Sequence, residues 1–422
     1  MSFTSNASNT AKRRRTTQDE YDLRKTVPLP ATKIARGQYA PSEYGVGWIC
    51  ALPIEMTAAR VMLGAVHEAF QGEQDEADTN SYILGNIGPH NIVIACLPSG
   101  HYGTNNAASV VSHMRRSFPS IRAGLMVGIG GGVPLGKADV RLGDVVVSEQ
   151  VIQYDFGKTE AAGTFKRTGT AVRPPQALLT AVARLRADHE IEASRIQETL
   201  SEMLERHPRL KDYAYSLSLP DRVFHGTYDH VNASGSANDD CELCDETQWI
   251  QRPPRESSVP NIHYGIIASG NQVMKRGETR DKIAQELGAI CFEMEAAGLM
   301  DSFPCLVIRG ICDYCDSHKN QGWQKYAAAT AAAYAKELLS VLPNTTPRDD
   351  ASVRARLQDE ARKEEQRRIR RRQRLLESLI FEQLDVRLTS IQESHTDTCE
   401  WLLSHPDYLT WLGQDNLAEH HV

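Results

Sequence analysis

The chain has 422 residues, 41% hydrophobic and 24% charged, a composition typical of a globular protein with two or three structural units. Its net charge of −7 gives no general reason to expect a nucleic-acid partner. No apolar run approaches the roughly 20 residues that a membrane helix needs, and the N-terminus lacks the apolar core of a secretory signal, so we expect a cytoplasmic protein without a membrane partner.

Residues 1–43 are polar, rich in Ser, Thr and Arg, and without an apolar period. They predict a disordered basic tail. Lys12–Arg15 within it is open to two interpretations, a nuclear-import signal or simply a solvated basic run.

Strand and helix patterns begin at Val46. "VGWICALPIEMTAARVML" predicts a buried strand followed directly by an amphipathic helix. "SYILGNIG" and "HNIVIACLPSG" predict a hairpin, "NAASVVSHMRRSF" a helix, and "AGLMVGIGGGVP" and "GDVVVSEQVIQYDFG" two more strands. Residues 160–258 are less regular, mostly helical and polar, and we expect them to be an insertion.

The strand pattern then resumes with "NIHYGIIASGN", followed by a helix, the run "FEMEAAGLM", the strand "FPCLVIRGICDYCD" and an Ala-rich helix. Strands that alternate with helices predict an α/β sandwich with ligand groups at the strand ends. After Pro347 a long charged helix is expected, and then apolar residues at helical spacing with Trp401 and Trp411. We expect 348–422 to form a helical extension that contacts a partner.

Three carboxylates, Glu55, Glu295 and Asp313, stand where strands give way to helices or loops. Any one of them alone could be an acidic residue favoured at a helix N-terminus, worth roughly 0.3–1 kcal/mol. Together with the glycine-bearing turns "LPSGHYGTNNAAS" and "VGIGGGVP", they indicate a ligand site.

The motifs "ALPIE", "VGIGGG", "ASGN", "FEMEAAGL" and "IRGICDYCD" occur in this order between residues 44 and 342. This region resembles the purine nucleoside phosphorylase and uridine phosphorylase superfamily. The resemblance is closest to methylthioadenosine/S-adenosylhomocysteine nucleosidases and to the nucleosidase domains of fungal NACHT/NB-ARC proteins. It implies a three-layer α/β/α sandwich with a central mixed sheet, catalysis without a cofactor, and a homo-oligomer of at least two subunits.

The resemblance also implies the catalytic roles. Asp313 would hydrogen-bond or protonate purine N7, Glu295 would accept hydrogen bonds from the ribose 2′- and 3′-hydroxyls, and Met294 would lie against the sugar. Glu55 would orient or deprotonate the attacking water. Glu293, two residues before Glu295, is the weaker candidate of the pair.

Further substrate contacts are expected from the resemblance in the glycine turns and in "ASGNQVMK". Asn271 stands where adenine-specific nucleosidases carry an aspartate, so strict recognition of a 6-amino group is in doubt, although adenine remains the expected base. Phe156 and Tyr154 in "QYDFG" are candidates to stack on the base, and packing in the core is the other interpretation of each. The remaining expected contacts are Ser99, Gly100, Gly128, Val273 and Met274.

Two features bear on the reaction class. Superfamily phosphorylases bind phosphate through an arginine where this chain has Met126, and Glu55 would repel a phosphate dianion but suits a water. Hydrolysis is therefore expected over phosphorolysis. A low-turnover nucleoside-sensing module is a third hypothesis.

Basic residues flank the expected site and fit either a nucleotide triphosphate or solvated surface charge. They are Lys275, Arg276, Arg280, His318, Lys319 and Lys325. Related immune-type domains cleave adenine nucleotides, ATP included, so we expect release of adenine from adenosine and also from ATP or dATP.

Nine cysteines, an odd number, favour reduced thiols over a disulfide framework. Cys241 and Cys244 form a C-x-x-C pair, with His225, His230 and His263 near in sequence. One pair is half of a structural zinc site, so a zinc ion away from the chemistry is one interpretation and a pair of buried thiols the other.

Residues 348–422 resemble the connector that precedes the nucleotide-binding domain of fungal STAND-type immune receptors. The 422 residues contain no G-x-x-x-x-G-K-[ST] phosphate loop, so no ATP-driven switch is predicted within them. We expect a STAND-type protein partner for these helices.

Overall fold

The computed structural model describes residues 34–35, 39–68, 77–134, 138–231, 241–255, 257–300, 302–343 and 370. The expected basic tail at 1–33 and 36–38 lies outside these described residues. So does the expected helical extension, except residue 370.

The described residues contain thirteen strands and seven α-helices. The strands are β1 Ile34–Ala35, β2 Val46–Cys50, β3 Ala65–His67, β4 Tyr82–Ile87, β5 His90–Cys96, β6 Ala123–Gly132, β7 Val145–Gln153, β8 Gly157–Thr159, β9 Phe165–Arg167, β10 Ala171–Val172, β11 Ile262–Ser269, β12 Ala289–Glu293 and β13 Cys305–Asp313. The helices are α1 Pro53–Met62, α2 Thr104–Ser117, α3 Gln176–His189, α4 Ile196–Arg206, α5 Gly277–Leu287, α6 Ala296–Met300 and α7 Gln324–Val341.

Eleven strands form one mixed sheet in the order β1-β3-β4-β5-β2-β6-β12-β11-β7-β10, with β13 paired to both β6 and β7. The pairings of β6, β13, β7, β11 and β12 close on themselves, so half of the sheet is a five-stranded ring. The family resemblance implied a mixed sheet, and the closure of these strands into a ring was not predicted. β4 and β5 pair antiparallel, as the predicted hairpin requires.

Helices cover both faces of the sheet. Along β2 the side chains alternate, so that Trp48 is buried with helices α1, α3, α4 and α7, and Ile49 is buried with α2 and α6 on the other face. The predicted α/β/α sandwich with a central mixed sheet is therefore confirmed. Helices α3 and α4 lie within the segment predicted as an insertion and contribute buried residues to the main core.

Hydrogen bonds also join that segment to the core. Glu337 on α7 accepts hydrogen bonds from the Ser194 hydroxyl at 2.9 Å and from the Arg195 backbone N–H at 2.9 Å. Its carboxylate also lies 3.0 Å from the His189 Nε2 atom at the end of α3. Among the described helices, none is both long and apolar enough to span a bilayer.

Candidate active site

The C-terminal ends of β2, β6, β12 and β13 meet around one cavity of about 310 Å³. Parallel strands such as β2, β6 and β13 bring the groups that follow them to the same edge of the sheet. The three predicted catalytic carboxylates all line this cavity and are all buried. Its other lining residues include Tyr102, Phe292, Glu293, Lys319 and the predicted contacts Val273, Met274 and Met294.

Glu55 is fixed at the start of α1, where Pro53 occupies the first turn. Its Oε2 atom accepts N–H groups of Ala51 at 2.6 Å and Leu52 at 2.9 Å, and its Oε1 atom accepts the N–H of Ile129 at 2.8 Å. Burial raises the pKa of Glu55, while Arg309 and the N–H donors oppose the rise. The carboxylate is thus held in one orientation and is more basic than a free glutamate.

Glu293 and Glu295 have separate environments. Glu293 accepts the N–H group of Glu295 at 3.1 Å and that of Ala296, the first residue of α6, at 3.0 Å, and it forms a hydrogen-bonded ion pair with Arg309. Glu295 lies 3.6 Å from Arg309 and 3.5 Å from the N–H of Gly103. Glu293 is therefore saturated by protein groups, whereas Glu295 retains acceptor capacity towards the cavity.

Arg309 is the functional residue that sequence reasoning missed. It lies in the middle of β13 with no exposed surface and is adjacent to three acidic residues. Burial disfavours its charge, but the carboxylates of Glu293 and Glu295 outweigh burial and raise its pKa above the ordinary value. Three clustered carboxylates need a countercharge, and the arginine inside "LVIRGICD" was the available signal.

Burial raises the pKa of Glu295 to about 7. Arg309 opposes this rise, and the Glu293 and Glu55 carboxylates add to it because like charges disfavour ionisation. Glu295 therefore titrates within the physiological range.

Asp313 ends β13 at an irregularity in its pairing with β6. Its Oδ1 atom accepts the N–H of Cys315 at 2.9 Å, and its Oδ2 atom lies 2.8 Å from the Nζ atom of Lys319. Burial disfavours the charged form of Lys319, but the Asp313 carboxylate outweighs burial and raises the pKa of the ammonium. A charged amine therefore contacts the Asp313 carboxylate inside the cavity.

The glycines of "VGIGGG" are required by close approach. A side chain at Gly128 would collide with the Glu55 carboxylate and with Arg309, and one at Gly131 would collide with Cys315 and lie 2.7 Å from the Asp313 Oδ1 atom. Gly128 thus contacts the carboxylate framework but is not part of the cavity wall as predicted. Its role is to leave room for Glu55.

Asn271 was predicted to contact the base, but the structure uses it to fix a turn. Its Oδ1 atom accepts the N–H of Thr104 at 3.0 Å and the Thr104 hydroxyl at 3.1 Å, and its own N–H donates to Asp155 at 2.7 Å. Ser99 and Gly100 are exposed and are not among the residues that line the cavity. Their position in the loop before α2 explains this, because Tyr102, further along, faces the cavity instead.

The aromatic prediction also needs correction. Phe156 is 58% exposed and lies just before β8, away from the cavity lining, and the Tyr154 hydroxyl donates to the Gln272 carbonyl at 2.8 Å. Tyr154 packs edge-on against Phe292, with ring centroids 5.5 Å apart. Phe292 and Tyr102 are the aromatic side chains that line the cavity within the described chain.

Most of the flanking basic residues have protein partners. Arg280 is fully buried and donates to the Tyr314 carbonyl at 2.7 Å, Arg276 pairs with Glu278 at 2.7 Å, and Lys325 pairs with Asp212 at 2.8 Å. Among the described residues that line the cavity, Lys319 is the single cation. The position of the phosphorylase arginine, Met126, is buried in the core of the sheet.

Comparison with known proteins identifies the family. The family profile described as the phosphorylase superfamily matches residues 46–342. A nucleotide-binding leucine-rich repeat (NLR)-like protein of Hyaloscypha variabilis is 46% identical over 315 residues, which are 73% of this chain and 30% of that protein. The chain therefore spans less than a third of the length of that relative.

Two nucleosidases are more distant relatives. The 5′-methylthioadenosine/S-adenosylhomocysteine nucleosidase of Mycobacterium bovis is 26% identical over 306 residues, covering 71% of this chain and 98% of that enzyme. ATP nucleosidase Cap17 of Escherichia coli is 24% identical over 309 residues, covering 69% of this chain and 50% of that protein. The superfamily match spans the whole sheet from β2 to β13 together with α7, and the chain belongs to the phosphorylase superfamily.

Proposed function

We propose that this chain is an N-ribohydrolase that cleaves the N-glycosidic bond of purine nucleosides or nucleotides and releases adenine. The observation that carries the proposal is the placement of Glu55, Glu295 and Asp313 on three separate strand ends around one buried cavity. In the balanced reaction water adds to the ribose C1′ atom, the bond from C1′ to N9 breaks, and one proton reaches the purine.

Departure of the base is assigned to Asp313 and Lys319. As the C1′–N9 bond breaks, negative charge builds on the purine and a proton at N7 neutralises it. Asp313 hydrogen-bonds N7, and the ammonium 2.8 Å from its Oδ2 atom supplies positive charge at the same end of the cavity. Phe292 and Met274 provide apolar lining there.

The sugar is assigned to Glu295 and Met294. The ribose acquires oxocarbenium character in the transition state, so a carboxylate that accepts its hydroxyl protons stabilises the positive ring. Glu295 is the glutamate whose carboxylate is not saturated by backbone N–H groups. Met294, the neighbouring residue in the cavity wall, packs on the ring.

Water activation is assigned to Glu55. Three backbone N–H groups hold its carboxylate in place, and its raised pKa suits it to take a proton from water. The same environment disfavours phosphate, because a dianion would face four lining carboxylates with one lining cation, Lys319, among the described residues. Hydrolysis therefore fits this cavity better than phosphorolysis.

Adenine is proposed as the base because the two named nucleosidases among the relatives act on adenine-containing substrates. We place the catalytic domain at residues 44–342, acting as a homo-oligomer of at least two subunits. The NLR-like fungal relative supports a role in a fungal immunity-like pathway, with residues 348–422 contacting a STAND-type partner.

The deciding experiment measures release of adenine and of the sugar product from adenosine, AMP, ATP, methylthioadenosine and S-adenosylhomocysteine, each with and without inorganic phosphate. We expect release without phosphate and a loss of about 10²–10⁴-fold in Asp313→Asn, which keeps the size of the side chain. Strict dependence on phosphate would establish a phosphorylase. Binding of all five compounds without release would establish a sensor.

A further inference from the structure

A second cluster of reactive side chains lies in the segment between β10 and β11, outside the catalytic cavity. The His230 nitrogen and the thiol sulfurs of Cys241 and Cys244 all lie within 4.8 Å of one another. His225 is not a member of this group in the described structure, and His263 is engaged by Asp144, with its Nε2 atom 2.9 Å from the carboxylate. The two cysteines are not joined in a disulfide.

The spacing of these atoms fits a tetrahedral metal. Bond lengths of about 2.3 Å to sulfur and 2.0–2.1 Å to nitrogen place neighbouring ligand atoms about 3.5–3.8 Å apart around Zn²⁺. The ligand atoms, now within 4.8 Å of one another, would have to approach by at most about 1.0–1.3 Å to reach that spacing. Cys241 and Cys244 form one tight turn, with the N–H of Cys244 donating to the Cys241 carbonyl at 3.2 Å, so both thiols come from one rigid element.

A second imidazole, that of His318, adjoins the group. The ring of His318 lies 5.4 Å from that of His230, and its two nitrogen atoms are buried without a hydrogen-bond partner in the described part of the chain. Its Nδ1 atom lies 3.6 Å from a carboxylate oxygen of Asp316, beyond hydrogen-bond distance, so a metal bond would restore the polar contact that burial has removed. The His318 ring stacks on Phe224 at 3.8 Å, and Phe224 packs with both cysteines.

We propose that Cys241, Cys244 and His230 bind one Zn²⁺, with the His318 side chain turning in as the fourth ligand. On binding, each cysteine loses its proton to water and each sulfur forms one bond to zinc. The thiolates and imidazoles give the set of two sulfurs and two nitrogens that zinc commonly takes in structural sites.

The cluster lies beside the loop that carries Lys319, and this position indicates how a bound zinc ion would act on the protein. His318 is one residue before Lys319, whose ammonium contacts Asp313, and the backbone N–H of His230 donates to the Ser317 hydroxyl at 2.9 Å. The zinc would therefore join the segment that carries His230 to the loop 314–319. It acts on catalysis by positioning Lys319 and touches no substrate.

The test uses the full chain without a histidine tag. Metal analysis after exhaustive dialysis is expected to give one zinc per chain, and replacement by Co²⁺ is expected to produce thiolate-to-cobalt charge transfer and the intense visible bands of a tetrahedral site. Cys244→Ser and His230→Ala are each expected to weaken zinc binding at least about tenfold, and Cys96→Ser, at the end of β5, is the matched control that keeps it.

Several results would overturn the proposal. They are a wild-type chain that binds no zinc, a folded Cys244→Ser or His230→Ala variant with undiminished affinity, or an octahedral cobalt spectrum. Unchanged affinity in His318→Ala would overturn the assignment of the fourth ligand. Hydrogen exchange gives the positioning readout, since loss of zinc should accelerate exchange in 314–319 while β13 stays protected. Because metal content is measured without substrate, failure of the zinc site and failure of the hydrolase proposal are distinguishable.

Discussion

Two basic residues, Arg309 and Lys319, pair with carboxylates of the cavity, and they differ in burial and in flexibility. Arg309 is sealed inside β13 between Glu293 and Glu295, with no exposed surface, whereas Lys319 lies on a loop, keeps 29% of its side chain exposed and pairs with Asp313. The arginine presents a rigid planar fork to carboxylates, and the lysine presents a point charge on a flexible stem. The sugar end of the cavity is thus a fixed framework, while the base end can rearrange.

The difference follows from what each end must do. The sugar end has to hold its carboxylates in one geometry through the reaction, and a buried arginine with two acidic neighbours fixes them. The base end has to move a proton and let a product leave, so its ion pair needs mobility and access to solvent. The comparison predicts that substitutions at the sugar end damage the fold as well as activity, and those at the base end damage activity alone.

Removal of the buried arginine should have the largest effect. Arg309→Met fills similar volume but leaves the Glu293 carboxylate buried without its ion-pair partner. We expect the free energy of unfolding to fall by about 3–5 kcal/mol, since breaking a buried pair on one side strands a charge. Urea titration of both proteins measures this change.

The matched control is the double variant Arg309→Met with Glu293→Gln. A glutamine at position 293 is neutral, so no buried charge is left without a partner when Arg309 is removed. The double variant should therefore recover part of the stability lost in Arg309→Met. Equal stability of the single and double variants would show that Glu293 does not depend on Arg309.

Glu295→Gln should reduce kcat/KM for adenosine by about 10²–10³-fold, because an amide cannot accept both ribose hydroxyls as a carboxylate can. The sharper measurement compares adenosine with 2′,3′-dideoxyadenosine in each protein. If Glu295 contacts the hydroxyls, the substitution should have little effect on the dideoxy substrate. The same loss on both substrates would contradict the ribose assignment.

Lys319→Ala should lower adenosine cleavage by about 10–100-fold, because the positive charge beside Asp313 is lost at the moment the base departs. Its control is Lys275→Ala, an exposed lysine near Met274. If Lys319 serves Asp313, adenosine and ATP should lose activity alike. If Lys319→Ala loses activity on ATP alone, Lys319 instead contacts the phosphates. If Lys275→Ala loses activity on ATP alone, the phosphates lie near Lys275 at the entrance of the cavity.

The sequence predicted the sheet, the helices and the three carboxylates because each depends on local patterns, such as apolar strands that end in an acidic residue. Arg309 was missed because its role arises from three carboxylates that only the folded sheet brings together. Asn271 and Phe156 were assigned to the base from their sequence position, which does not show the direction or the partners of a side chain. Each stands near the right strand end, but Asn271 is engaged by Thr104 and Asp155, and Phe156 turns outward.

The pH dependence of stability gives the smallest expected effect and tests the sugar end directly. Glu295 has a pKa of about 7 in the folded chain, above the model-peptide value of about 4.3 that applies when it is unfolded. Between these two values the folded state binds more protons than the unfolded state, so the free energy of unfolding falls as the pH rises. Below the lower pKa, Glu295 is protonated in both the folded and the unfolded state. Above the higher pKa it is ionised in both states, and the full free-energy cost of burying its charge is present.

Glu295→Gln removes this titration. The stability of the variant minus that of the wild type should therefore increase by about 1–3 kcal/mol between pH 4.5 and 7.5, on top of any constant offset from the lost contact with Arg309. Carboxyls that do not interact with Glu295, such as Asp144 with its lowered pKa, act in both proteins and cancel in the difference. A difference that is flat or falls with pH would mean that burial does not raise the pKa of Glu295, and that Arg309 neutralises both glutamates.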